Sequence, residues 1–301
     1  VHAIIGAASS EATLALAPLA NKNKIVLLSP ASSSPEINAG QPDFIFRNFP
    51  SDTLEAQKLA NVIFQRSRIQ KCLMVRSRSE YAAGITFELL RFARQNSQKL
   101  PNEVVKFDAD SQNVDWTAVV DRIVEIQPEG VFLGAYVDQL IPLINEIRSR
   151  EELAKLYIFT ASSFLPERAI QELGAETVEG IMFTGYHWDP NETKPNIQEF
   201  SQKFESEWHH KPTIYAATGH DAFQILINAA ESVDHTIADD FRMEVGKLEH
   251  TNLLLGNGKL QFNKRGDVTM IPSVYWIKNG QKVEMTEEDM EEIKKEILTR
   301  I

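Results

Sequence analysis

The chain has 301 residues, 43% of them hydrophobic and 24% charged, a composition that excludes a collagen-like or disordered chain. Its 31 lysines and arginines against 42 acids leave a formal net charge of −11, which argues against broad contact with nucleic acid or an anionic membrane, since both need a basic footprint. One cysteine, Cys72, excludes an internal disulfide, a multi-cysteine zinc site and an iron–sulfur cluster. A lone cysteine suits a cytosolic chain, or an exported one whose core is large enough to need no staple. The length exceeds one ordinary core, so about two domains are expected. Apolar runs such as that within Lys24 to Ser29 fall far short of the roughly 18 residues needed to span a bilayer. No signal-peptide pattern opens the sequence, and any export signal is expected upstream of Val1.

Val1 to Gly6 is short, apolar and closed by glycine, which predicts a buried strand. Ser10 then precedes Ala12, Leu14, Leu16, Ala17, Leu19 and Ala20, predicting a helix with a serine cap. A strand follows at Ile25 to Leu28, and the serines and prolines of Ser29 to Pro35 make the next segment a loop. The alternation continues with strands at Phe44–Arg47, Cys72–Val75, Val104–Phe107, Val131–Gly134 and Leu156–Phe159. Helices are expected between them at Thr53–Gln65, Glu80–Gln95, Val114–Ile126 and Leu140–Arg148. This spacing predicts βαβ units and parallel sheets. The last third changes character. Ile197–Trp208 and Tyr215–Ala230 read as amphipathic helices, and Gly256–Phe262, Val274–Gly280 and Val283 as strands and hairpins, with Asn279-Gly280 as the clearest turn. Thr286 opens a final helix with Glu287, Glu288 and Asp289 early and Lys294, Lys295 and Arg300 late, the order that suits the helix dipole.

Several of these segments are similar to one known family. Ile4-Ile-Gly-Ala-Ala-Ser-Ser10, Ile25-Val-Leu-Leu-Ser-Pro-Ala-Ser-Ser-Ser-Pro-Glu36 and Phe44-Ile-Phe-Arg-Asn48 resemble the type I periplasmic binding proteins. The nearest branch is the leucine/isoleucine/valine-binding group of ABC-transporter substrate-binding proteins. Ser79-Glu-Tyr-Ala-Ala-Gly84 looks like that family's Tyr-Gly-x-Gly turn, and Val114-Asp-Trp-Thr117 like its Asp-Phe-Thr helix start. Glu179-Gly180, Ala217-Thr-Gly-His-Asp-Ala222, Gly256-Asn-Gly258, Phe262 and Gly266-Asp267 match further steps in the same order. The resemblance implies an α/β fold of two doubly wound parallel-sheet lobes, joined by three crossover strands, with a ligand cleft between them. Residues 1–50 and 184–262 are expected to form the first lobe, and residues 51–183 and 263–301 the second. The family's first strand–helix–strand segment has no counterpart here and is expected to precede Val1.

Ser10 follows a strand and opens a helix, so its hydroxyl and the nearby N–H groups suit an anion. The Ala31-Ser-Ser33 loop follows the next strand, and open parallel sheets bind ligands at the carboxyl ends of their strands. In the branched-chain amino-acid binders, residues at the positions of Ser10, Ala31 and Ser33 hold the ligand carboxylate, and the resemblance carries that role to them. Each charge-assisted hydrogen bond of this kind contributes about 1.5–3 kcal/mol. Read from its residues alone, Ser10 is an ordinary helix cap. Tyr81 and Tyr136 are expected to close over the ligand from the second lobe, with packing as the bland alternative. The family's ammonium-binding glutamate falls near Ser162-Ser163, which carry no charge, and Asp138 is the substitute candidate. A carboxylate ligand without an ammonium, including an aromatic acid, is therefore also expected.

His187 and Trp188 are candidates to line the cleft or to pack beneath a hinge. His220-Asp221 reads as the head of a packed helix and not as a catalytic dyad, since adjacent helical residues do not face one another. His209-His210 lacks a spaced third ligand for a metal, and Cys72 sits in an apolar strand as a core thiol. No cofactor is called for. The resemblance implies an extracytoplasmic solute-binding protein, periplasmic or extracellular, with any lipid anchor upstream of Val1. It is expected to capture a small carboxylated solute by hinge closure, to deliver it to an ABC permease and to break no bond. The alternatives are a sensor or receptor ectodomain of the same fold and a cytosolic α/β enzyme, which would need convergent titratable groups.

Overall fold

The computed structural model describes residues 2–40, 43–67, 69–96, 103–233, 238–247 and 249–300; Val1, the head of the first expected strand, lies outside the described residues. The chain divides into two compact units, residues 1–51 with 186–270 and residues 52–185 with 271–301. In chain order, the first unit opens with β1 (Ala3–Ile5), α1 (Ser10–Asn23), β2 (Val26–Ser29) and β3 (Ile45–Arg47). The second unit follows with α2 (Asp52–Ala60), β4 (Cys72–Ser77), α3 (Glu80–Gln95), β5 (Val104–Phe107) and α4 (Trp116–Ile126). It continues through β6 (Gly130–Gly134), α5 (Val137–Arg148), β7 (Tyr157–Thr160), α6 (Pro166–Leu173), α7 (Ala175–Val178) and β8 (Met182–Gly185). The chain then returns to the first unit for α8 (Pro195–Trp208), α9 (Ile214–Glu231), α10 (Ala238–Lys247), β9 (His250–Thr251) and β10 (Lys259–Leu260). It ends in the second with β11 (Ser273–Lys278), β12 (Gln281–Glu284) and α11 (Glu287–Arg300).

The first unit holds a three-stranded parallel sheet in the order β1-β2-β3. Alternation along β2 assigns its two faces. Val26 and Leu28 pack with Phe46 against Ala222, Ile225 and Phe241 of α9 and α10. Leu27, between them, packs with Ile45 against Ala17 and Ala20 of α1, as a period of two requires. Ser9, not Ser10, caps α1. Ser9 has the extended backbone of a cap, φ −92° and ψ 148°, and its Oγ accepts from Ala12 N at 3.3 Å. That leaves Ser10 as the first helical residue.

Residues 263–270, expected in the second lobe, pack within the first unit instead. Arg47 N donates to Gly266 O at 2.9 Å. The Asp267 carboxylate then accepts from Arg47 Nε and, at 2.6 Å, from Asn38 Nδ2. Gly266 makes this approach at φ +77°, where a Cβ would stand 2.4 Å from Ile45 O, so this turn requires glycine.

The second unit carries a seven-stranded sheet in the order β12-β11-β8-β7-β6-β4-β5. Strands β8, β7, β6, β4 and β5 are parallel, and the β11–β12 hairpin adds an antiparallel edge on the other side. The hairpin turns at Asn279-Gly280, both at positive φ (54° and 69°), as a two-residue primed turn needs. The sheet is wound on both faces. Leu73, Val75, Val131, Leu133 and Ile158 pack beneath α4 and α5, while Met74, Phe132 and Phe159 pack beneath α2, α3 and α11. Three further helices begin at side-chain caps, of which Thr286 is the one expected from the sequence. Ser79 Oγ accepts from Ala82 N at 3.1 Å, Asp115 Oδ1 from Ala118 N at 3.0 Å and Thr286 Oγ1 from Asp289 N at 3.2 Å. Among the described residues, no helix is long and apolar enough to cross a membrane.

Candidate functional site

In the first unit, the turns after β1 and β2 are stitched together by hydroxyl groups. Ala7 O accepts from Ser29 Oγ at 2.6 Å, Ser32 Oγ at 3.0 Å and Thr13 Oγ1 at 3.2 Å. Ala7 N donates back to Thr13 Oγ1 at 3.1 Å, and Ser32 N donates to Ser29 Oγ at 3.0 Å. Ser10 Oγ accepts from Ser34 N at 3.2 Å. The head of α1 and the 30–34 loop are thus neighbours at the carboxyl ends of two parallel strands, the place where open sheets bind ligands. Ser10 and Ser33 are both buried, and Ala31 is partly exposed. The sequence expectation of an outward-pointing capping hydroxyl is corrected: Ser10 turns inward to Ser34 because Ser9 takes the cap. As a hydroxyl that accepts one bond, Ser10 keeps a proton to donate. Sequence reasoning missed Thr13, Ser29 and Ser32, although Ser29-x-x-Ser32 is a local hydroxyl-turn spacing that could have marked the loop.

The 30–34 loop is held from behind by a buried cation. Arg47, 1% exposed, donates from its guanidinium to Ser34 O at 2.7 Å as well as to Asp267. One chain of bonds therefore runs from Asp267 through Arg47 and Ser34 to Ser10.

In the second unit, the parallel order β5-β4-β6-β7-β8 places the topological switch point between β4 and β6, where chain connections leave in opposite directions. Two of the expected residues lie there. Tyr81 stands in the first turn of α3, directly after β4, and Tyr136 follows β6. Their rings stack at 5.0 Å with planes 22° apart. Ser77, which ends β4, and Ser79, which caps α3, share a hydrogen bond of 2.8 Å. Asp138, in contrast, is exposed and pairs with Arg168 at 2.7 Å. Its charge is committed to that surface ion pair, which weighs against its role as an ammonium partner.

Glu55, in the first turn of α2, is a fully buried acid of this unit. Its Oε1 accepts from Ser162 N at 2.6 Å and Thr184 Oγ1 at 2.8 Å, and its Oε2 from Ser162 Oγ at 2.8 Å. Burial raises its carboxyl from 4.5 to about 7, against the opposing pull of the bonds from Thr184 and Ser162. The serine that stands where the resemblance expects an acid is thus itself bonded to an acid from another element.

His210, His220, Trp188 and Cys72 have structural surroundings. Among the described residues no cluster of side chains suits a metal ion. His210 packs on Phe204, and Trp188 donates from Nε1 to Pro212 O at 2.8 Å while packing on Phe200. Cys72 is buried and its thiol is pushed up by that burial. His220 does reach its neighbour, Nδ1 lying 3.2 Å from Asp221 Oδ1, contrary to the expectation that the two would not face. Asp221, however, spends both oxygens on the backbone, accepting from Leu254 N at 2.8 Å and Leu255 N at 3.0 Å. Asp221→Ala is therefore expected to destabilise by about 1–3 kcal/mol for each orphaned N–H, whereas His220→Ala costs under about 1 kcal/mol. Equal losses in urea unfolding would contradict this assignment.

Comparison with known proteins adds family evidence. A family model described as periplasmic binding protein matches residues 1–277. A Leu/Ile/Val-binding protein of Citrobacter freundii is 20% identical over 182 residues, covering 60% of this chain and 48% of its own length. The chain spans about half the length of the first such curated relatives. Among solved structures, a leucine-binding protein of Thermotoga maritima superposes with a TM-score of 0.79 at 23% identity, covering 95% of this chain and 79% of that one. A solute-binding protein of R. palustris in complex with benzoate also reaches 0.79, at 14% identity, with 95% and 77% covered. At such identities the superpositions establish the fold alone.

Proposed function

We propose, on the premise that this chain belongs to the periplasmic binding protein family, that it is an extracytoplasmic solute-binding protein for a small carboxylate-bearing ligand, an amino acid or a related organic or aromatic acid. It captures the ligand by hinge closure and delivers it to an ABC permease, without catalysing a reaction. The observation that carries this reading is the Ser34 N to Ser10 Oγ bond. It joins two donor-rich turns at the carboxyl ends of parallel strands, where Ser10 and the Ala31–Ser33 backbone and hydroxyls receive the carboxylate. Tyr81 and Tyr136 supply apolar faces from the second unit. Two features bear on the ligand class. The relatives whose names specify leucine, isoleucine and valine favour an amino acid. The engagement of Asp138 by Arg168 favours an acid lacking an ammonium, as does a structural relative that holds benzoate.

A thermal-shift panel of L-leucine, 4-methylpentanoate and benzoate tests the reading. Leucine and 4-methylpentanoate differ only in the ammonium, so their order decides the ligand class. A true ligand at a hundredfold excess over Kd adds about 2.7 kcal/mol to stability, which raises the midpoint by several degrees. A flat response to all three, at millimolar concentration, contradicts the proposal.

A further inference from the structure

Thr184 is the penultimate residue before the chain leaves the second unit at 185/186, and Glu55 is the fourth after it enters at 51/52. The Glu55 carboxylate bonds Thr184 Oγ1 and also the backbone and side chain of Ser162, in the turn after β7. One buried side chain, itself 0% exposed, therefore ties the roots of two of the three chain crossings to the sheet. We propose that Glu55 is a proton-operated fastener for these crossings: with its proton on, the joint stays shut, and once ionised it opens more readily.

The direction follows from solvation. A carboxylate without a cation is costly to bury, and burial raises this carboxyl from 4.5 to about 7 despite the donated bonds. Opening the joint returns the group to water and to its ordinary acidity, so ionisation favours opening. The elements packed on α2 carry other titratable groups. The unexposed ones are Asp52 on α2 itself, Arg66 in the helical segment that continues from it and pairs with Glu287, Tyr81 and the Glu88–Arg91 pair on α3, and Tyr275 and Lys278 on β11. The causes of the Glu55 shift are burial, which raises it, and the bonds from Thr184 and Ser162, which lower it. β8 and residues 161–165 contain no titratable side chain.

The functional consequence rests on the hinge-closure reading above, but the fastener itself is testable without ligand. Hydrogen exchange, corrected for intrinsic chemistry, is followed in peptides covering 52–60, 157–165 and 182–186. The local opening constant is expected to rise about tenfold between about pH 6 and about pH 8 in the wild type, and to stay level in Glu55→Gln. Thr184→Val, which removes one donor to the carboxylate, keeps the rise and moves its midpoint upward; it serves also if Glu55→Gln does not fold. A level wild-type profile, the same rise in Glu55→Gln, or an unmoved midpoint in Thr184→Val overturns the proposal. Titration with L-leucine at the same two pH values then addresses the hinge. If leucine does not bind, the assignment of leucine as ligand fails while the exchange result stands on its own. If leucine binds with pH-independent affinity although the exchange profile rises, the fastener exists and its coupling to closure is overturned.

Discussion

Asp267→Ala is expected to be among the most destabilising single substitutions in the first unit. Its carboxylate is the counter-charge of Arg47, which is 1% exposed, at an Nε to Oδ1 distance of 2.5 Å. Truncating one partner of a buried ion pair strands the other, at a cost of about 3–5 kcal/mol. Asn38 also loses the acceptor of its Nδ2. Because Arg47 holds Ser34 O and Ser34 N reaches Ser10, the same substitution loosens the proposed binding loop. The double variant Arg47→Met with Asp267→Leu is expected to recover most of the stability and none of the loop order, since an apolar pair carries no stranded charge. Urea unfolding followed through Trp188 and Trp208, the tryptophans of the first unit, measures both. An Asp267→Ala variant within about 1 kcal/mol of wild type would show that the pair contributes little.

Glu55 gives the second unit a pH-dependent stability of predictable sign. Its carboxyl is held at about 7 in the folded chain, against 4.5 ordinarily. Between those values the folded chain keeps a proton that the unfolded chain has released. Stability is therefore greatest at the acid side of this window, falls as pH rises through it, and levels off above it. The full span corresponds to about 3 kcal/mol. Denaturant unfolding at about pH 5 and about pH 8, read from Trp116 and Trp276 of the second unit, is expected to show this loss in wild type and its absence in Glu55→Gln. A wild type that gains stability across the window would contradict the sign.

Strand and helix alternation was legible because most central strands are short apolar runs punctuated by glycine, proline or serine. β8 was harder. Met182–Gly185 is only four residues long, and its strand character comes from pairing with β7 and β11, partners distant in sequence. The choice between Ser9 and Ser10 as cap depends on a backbone angle, which two adjacent serines do not reveal. The candidate site was legible where local motifs carry it: Ser10 and the 31–34 loop meet in one unit, and Tyr81 and Tyr136 meet in the other. Glu55 was not. In the helical pattern of residues 53–65 it shares the apolar face of Leu59 and Val62, four and seven positions on, but the partners that accommodate a carboxylate there, Ser162 and Thr184, lie 107 and 129 residues away. Asp138 is the converse case. A carboxylate near a binding loop in sequence proved to be engaged by Arg168, an ion pair formed by a different helix.

The binding of a carboxylate by Ser10 and the 31–34 loop is tested most directly by calorimetric titration of the best ligand from the panel into wild type, Ser10→Ala and Ser33→Ala. Loss of one hydrogen bond to a charged group costs about 1.5–3 kcal/mol, so each variant is expected to bind roughly tenfold to a hundredfold more weakly. Ser33→Ala is expected to unfold at nearly the wild-type denaturant concentration, whereas Ser10→Ala also orphans Ser34 N and loses about 1–3 kcal/mol of stability. Wild-type affinity in both variants would contradict the account.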